Sequence, residues 1–200
     1  MVPRTLLLIA GPSGSGKSRL TRLATGTGRA ATISLDDFYR DVDAPGLPMS
    51  PLGIPDWDDV GTWDLAQAVD TVGALLRDGR AELPTYDISK SRRVGEHIVD
   101  IDDAETVLAE GIFAIDMLAA ARAAGMTCEG WWLDRPRTAN FTRRLARDLR
   151  EHRKTPPVLL RRGAALYRAE PALRRAAIEA GFTPMSMRRA LTRLGCAARS

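Results

Sequence analysis

Short apolar runs alternate along the chain with stretches of three-to-four-residue period. TLLLIAG (5–11) precedes a helical stretch at 18–25, and AATISL (30–35) precedes a loop. VLAEGIFA (107–114) precedes a helical stretch at 115–124, and TCEGWWLD (127–134) precedes a long arginine-rich helix. That alternation predicts parallel strands joined by crossover helices, an α/β layered architecture. Trp63, Ala66, Val69, Val72 and Leu76 fall on one face of a 3.6-residue period, which predicts an amphipathic helix over 62–77 stopped by Gly79. Pro45, Gly46, Pro48, Pro51, Gly53 and Pro55 forbid a regular element over 41–55. A loop of that length in a compact chain usually carries function. Beyond Pro156 and Pro157 helical composition returns over 161–180, and after the short string PMS a last helix is expected over 187–194.

A chain of 200 residues with 44% apolar and 27% charged residues buries one substantial core, so a single domain over 1–200 is expected. No apolar run approaches the roughly 20 residues of a membrane-spanning helix, and a cytoplasmic protein without membrane contact is expected. Cys128 and Cys196 have neither metal-ligand spacing nor a disulfide framework. The net charge is +4, and Arg143, Arg144, Arg147, Arg150, Arg153 and Lys154 crowd into one segment able to meet nucleic acid or bound phosphates. Of 29 basic residues only Lys17, Lys90 and Lys154 are lysine. A chain that otherwise takes arginine keeps Lys17 because a compact ammonium reaches terminal phosphates where a forked guanidinium fits badly.

Lys17 belongs to GPSGSGKS, the residues Gly11, Pro12, Ser13, Gly14, Ser15, Gly16, Lys17 and Ser18. The string satisfies G-x-x-x-x-G-K-[ST] between a buried strand and a helix. Its glycines let backbone N–H groups turn inward around phosphates, the helix N-terminus adds its positive end, and the Ser18 hydroxyl can ligate Mg²⁺. A nucleoside triphosphate, ATP, with Mg²⁺ is therefore the expected ligand. Phosphoryl transfer also needs carboxylates at the carboxyl ends of strands. Asp36 with Asp37, Glu110 and Asp134 all stand where strands should end. Asp134 is equally read as the N-cap of the arginine-rich helix. Asp36 lies in SLDDFYR beside Phe38 and Tyr39, which reads as the floor of an acceptor pocket, and DWDDVGTWD (56–64) follows the proline-rich loop. Within it Asp58 can accept two hydrogen bonds from paired sugar hydroxyls.

These strings, in this order over most of 5–154, resemble the uridine kinase (uridine-cytidine kinase) family of P-loop kinases. GPSGSGKS matches the family's phosphate loop, SLDDFYR its Asp-x-Phe-Tyr motif, and DWDDVGTWD its Asn-Phe-Asp segment. PTYDISKSRR matches its Pro-x-Tyr-Asp segment, LAEG its Glu-Gly, and RRLARDLREHRK its Arg-Arg-x-x-Arg-Asp lid. The resemblance implies a nucleoside/nucleotide kinase-like P-loop NTPase fold, a parallel central sheet flanked by helices. It also implies an acceptor-site loop at 41–58 and a helical lid at 136–156. Asp36 would be the general base and a neighbour of Mg²⁺, with Ser18 and Glu110 completing the metal side. Tyr39 and Tyr86 would flank a nucleoside, Asp58 would hold its ribose, and Arg93 stands at the family's arginine position. Arg144, Arg147 and Lys154 would close over the ATP phosphates.

Two positions depart from that pattern. Ser91 stands where the family has a pyrimidine-reading histidine, and His152-Arg153-Lys154 replaces Arg-Gly-Arg in the lid. Three readings follow. The first is a kinase phosphorylating the 5′-hydroxyl of uridine or cytidine. The second is the same chemistry on another nucleoside, a sugar phosphate or a pantothenate-like alcohol. The third is a P-loop NTPase regulator whose arginine cluster binds nucleic acid, a reading that leaves Asp36, Phe38, Tyr39 and Asp58 idle.

Overall fold

The computed structural model describes residues 4–51, 53–101, 103–150 and 156–196, with the backbone alone at 147–150, 156–162 and 165. A five-stranded sheet is built from β1 (Thr5–Ala10), β2 (Ala30–Ser34), β5 (Thr106–Glu110), β6 (Cys128–Leu133) and β7 (Phe182–Met185), in the order β2-β5-β1-β6-β7. Every pairing is parallel. The helices are α1 (Lys17–Thr25), α2 (Leu65–Asp78), α3 (Ala114–Ala123), α4 (Arg137–Arg150), α5 (Pro156–Glu179) and α6 (Met187–Arg193). Core clusters form against both faces of the sheet, which is why β1 is buried from Leu6 to Ala10 rather than alternating. Among the described residues no helix is long and apolar enough to cross a membrane.

Two elements come from outside the predicted pattern. β3 (Arg80–Asp87) and β4 (Arg92–Asp100) form an antiparallel hairpin separate from the main sheet. β4 is almost wholly exposed, so it has no apolar stripe to betray it. β7 spans only four residues, one of them Pro184, and adds to the edge of β6. The helix expected over 62–77 begins later, at Leu65, because the Asp64 carboxylate accepts the Gln67 N–H at 2.9 Å and caps it there. Asp134 is not the cap of α4. That helix starts at Arg137, and Asp134 instead pairs with Arg174 at 2.8 Å.

The strand β2 runs straight into a single 3₁₀ turn, Leu35–Phe38, capped by the Ser34 hydroxyl. Its placement is fixed by Trp63, whose indole N–H donates to the Leu35 carbonyl at 2.7 Å from within the core. Phe38 is fully buried at the end of this turn. Phe38→Ala is expected to cost about 3–5 kcal/mol and to lower the melting temperature by roughly 10 °C, with Phe38→Leu milder. Urea and thermal unfolding check this, and an alanine variant as stable as the parent would contradict the packing.

Candidate active site

The carboxyl ends of β1, β2 and β5 converge by register. Glu110, the last residue of β5, is paired with Ile9 on one side and Ser34 on the other. It therefore stands between the turn leaving β1, which is the phosphate loop, and the turn leaving β2, which carries Asp36. The Ser18 hydroxyl donates to Glu110 Oε1 at 2.6 Å, closing the first of these gaps. Gly111 permits the second: a Cβ there would meet Leu35 at 2.7 Å and Asp36 Oδ1 at 3.0 Å. Lys17 Nζ donates to the Gly11 carbonyl at 2.9 Å, along the loop it serves.

Asp36 is the electrostatic centre of this arrangement. Burial, and after it the negative charge of Glu110, push its carboxyl up to about 6, while Lys17 pulls the other way. One of its oxygens, Oδ1, is buried and lacks a hydrogen-bond partner. A buried carboxylate oxygen without a donor is costly unless something else occupies its lone pairs.

These groups line one cleft of about 1290 Å³. Gly11, Pro12, Ser13, Gly14, Gly16, Lys17 and Ser18 form its phosphate end, with Arg143 and Arg144 of α4 beside them. Helix α4 sits close because Gly14, at φ +90°, leaves room: a Cβ there would come within 2.5 Å of the Asn140 carbonyl. The opposite end is walled by Tyr39, Trp57 and Asp58. The Tyr39 ring packs against Trp57, Tyr86 and Phe113, each at 5.6 Å, and its hydroxyl donates to the Trp57 carbonyl at 3.1 Å. Burial, with Asp36 and Asp58 nearby, raises the Tyr39 pKa above its ordinary value, so the phenol stays neutral.

Not every residue singled out from sequence reaches this cleft. Phe38 points into the core, away from Asp36 and Tyr39, because the 3₁₀ turn sends neighbouring side chains in different directions. Ser15 is also fully buried and does not line the cleft. Tyr86 lies behind Tyr39 and donates its hydroxyl to the Arg40 carbonyl at 3.2 Å; burial and Asp41 push its phenol up to about 12. Arg93 is bonded through its guanidinium to Gln67 and through its backbone N–H to Asp41, away from the cleft wall. Ser91 occupies the hairpin turn at φ +49°, where its carbonyl accepts the Val42 N–H. Arg144 lines the cleft but is largely buried, its guanidinium donating to the Gly163 carbonyl at 2.9 Å. Arg147 lies on α4 with its side chain outside the described residues, and Lys154 lies outside them altogether. Conversely, Trp57, Phe113 and Asp116 line the cleft without having been singled out, and Glu170 of α5 lines it too. Trp57 sat in the DWDD string already noted, whereas Glu170 is brought in only by the return of α5.

A divalent cation fits this end of the cleft. Mg²⁺ keeps most of its ligands as water and phosphate oxygens and needs one or two protein oxygens. Ser18 Oγ, Glu110 and the unpartnered Asp36 oxygen are such a set. Among the described residues no group of three or more His, Cys, Asp or Glu stands together as a metal cage.

No family model matches the chain. A uridine kinase from Lactobacillus helveticus is 28% identical over 147 residues, covering 72% of this chain and 67% of that protein. Among solved structures, a candidate uridine kinase from Bacillus stearothermophilus superposes with a TM-score of 0.50 at 21% identity, over 72% of this chain and 78% of its own. The chain is similar to uridine kinases among the P-loop kinases. A candidate fructose transport system kinase from Silicibacter sp. TM1040 shares the fold at a TM-score of 0.59 and 22% identity, over 93% and 90% of the two chains. The inorganic pyrophosphatase TTM2 of Arabidopsis thaliana is 31% identical over 114 residues, 55% of this chain but only 15% of that much longer protein. The α/β architecture with its parallel sheet is thus the P-loop kinase fold, and the GPSGSGKS loop lines the cleft.

Proposed function

We propose that the protein transfers the γ-phosphoryl group of ATP to the hydroxyl of a small alcohol, with a nucleoside, uridine or cytidine at its 5′-hydroxyl, as the first acceptor to test. The observation that carries this reading is the position of Asp36, between the phosphate loop and the Tyr39–Asp58 wall of a single cleft. In that reading Asp36 accepts the proton of the attacking hydroxyl. The new P–O bond forms to the acceptor oxygen as the bond to the ADP oxygen breaks. Lys17 and the loop N–H groups hold the phosphates, and Ser18 and Glu110 would hold Mg²⁺, which would supply positive charge to offset that of the phosphates. Asp58 is placed to receive a pair of sugar hydroxyls.

A second reading keeps the chemistry and changes the acceptor. It is favoured by the hairpin, whose Tyr86, Ser91 and Arg93 are engaged with residues 40–42 and Gln67 rather than lining the cleft. The regulator reading is less favoured, since it leaves Asp36, Tyr39 and Asp58, which line the same cleft as the phosphate loop, without a task. Incubation with Mg·ATP and a panel of nucleosides, sugars and small alcohols, followed by ADP formation, tests the proposal. At least one acceptor is expected to raise turnover well above the water background, and no rise with any acceptor would refute phosphotransfer to an alcohol.

A further inference from the structure

Charge is divided unequally between the two ends of the cleft. The cations that line it among the described residues are Lys17, Arg19, Arg143 and Arg144. All four belong to the phosphate loop, the helix that leaves it, or α4 packed on Gly14, where a Cβ would come within 3.3 Å of the Arg144 backbone nitrogen. Arg135 faces Arg19 and Arg143 closely enough that burial, and then these two charges, hold its pKa below its ordinary value. This end is therefore supplied for a polyphosphate.

The rest of the cleft carries the opposite sign. Asp36, Asp58, Asp59 and Asp116 line it, on the turn after β2, the 56–64 segment and α3, whereas Glu170 of α5 accepts from Asn140 of α4 at 3.0 Å with Arg144 nearby and so sits with the cationic end. Burial raises the pKa of Asp116, so this carboxylate already sits where water screens charge poorly. Arg40, which follows Tyr39 in the chain, and Arg93 of β4 are committed elsewhere. Arg40 donates to the carbonyls of Gly61 and Pro45, and Arg93 to Gln67. An acceptor bearing a phosphate or carboxylate would thus enter among carboxylates with no described cation lining the cleft to receive it.

Resting on the phosphotransfer reading above, we infer that the acceptor is an uncharged or cationic alcohol, and that anionic alcohols such as sugar phosphates and hydroxy acids are rejected by electrostatic repulsion. The apolar side chains of Trp57, Ile112 and Ile115, which line the same cleft, suit a neutral ring or alkyl body.

Matched pairs that share a skeleton and a free primary hydroxyl test this directly: uridine against orotidine, fructose against fructose 6-phosphate, and pantothenyl alcohol against pantothenate. ADP formation with Mg·ATP gives kcat/KM for each member at low salt and at about 0.5 M NaCl. In any pair that is used, the neutral member is expected to exceed its anionic partner by at least about 100-fold, with the ratio shrinking several-fold at high salt because screening weakens repulsion. An anionic member used as well as its neutral partner overturns the inference and leaves the kinase reading standing. A ratio indifferent to salt also overturns it, since the exclusion would then be steric. If no member of any pair raises turnover, the phosphotransfer reading fails and this inference falls with it.

Discussion

Replacing Asp36 by asparagine is expected to cut phosphoryl transfer by about 10²–10⁴-fold while leaving ATP binding nearly intact. The amide keeps the shape of the side chain but cannot take the proton of an attacking hydroxyl. Binding calorimetry with an ATP analogue and ADP formation with the best acceptor separate the two effects, and unchanged transfer would remove Asp36 from the role of base. The same variant carries a stability signature of the opposite sign. In the ligand-free protein the Asp36 carboxyl is raised from its ordinary 3.8 to about 6. Between those values the folded state binds the proton more tightly than the unfolded chain, so stability attributable to this group increases as pH falls through the window and is lowest above pH 6. Asparagine removes that cost. Asp36→Asn should therefore be more stable than the parent at pH 8, by about 1–3 kcal/mol, with the gain fading towards pH 4. A variant equally stable at pH 8 would show that the buried carboxylate bears no such cost.

Loss of Lys17 should act on the other substrate. Lys17→Ala is expected to weaken ATP binding and to lower transfer by about 10²–10⁴-fold, since the ammonium is the point charge that reaches the terminal phosphates. The acceptor KM should move little, because Lys17 stands at the phosphate end of the cleft and bonds within its own loop, to the Gly11 carbonyl. Lys17→Arg should fail to restore function, as the planar fork is bulkier than the ammonium that the loop encloses. Full activity in the arginine variant would show that any cation suffices there, and the scarcity of lysine in the chain would lose its meaning.

Much of the frame was legible because its signals are local. The buried strands β1 and β5 are built on short apolar runs, β6 ends in the apolar string WWL, and α2 carries its apolar stripe within 14 residues. Asp36 and Glu110 were singled out because strand ends in such a sheet open into one crevice, and the parallel register does place Glu110 next to Ser34 and Ile9. The β3–β4 hairpin was not legible. Its second strand is exposed on both faces, and its turn lacks an Asn-Gly or Asp-Gly signal. Phe38 misled for a different reason. Adjacency to Asp36 and Tyr39 suggested a shared pocket, but a 3₁₀ turn of four residues points consecutive side chains to different sides. Asp134 is a third case, because the partner that draws it from the helix cap is Arg174 on α5.

The sequence by itself determined the phosphate loop, the layered α/β class and the order of the acidic and aromatic strings, because each depends on residues that are close along the chain. Only the tertiary structure decided that Ser18 meets Glu110, that Gly14 accepts α4, and that Glu170 and Asp116 face the same cleft as Asp36. Those outcomes depend on how separate elements pack at the carboxyl edge of one sheet. Packing of that kind sets distances and local dielectric, and through them the charge on Asp36 and the division of the cleft into a cationic and an acidic end.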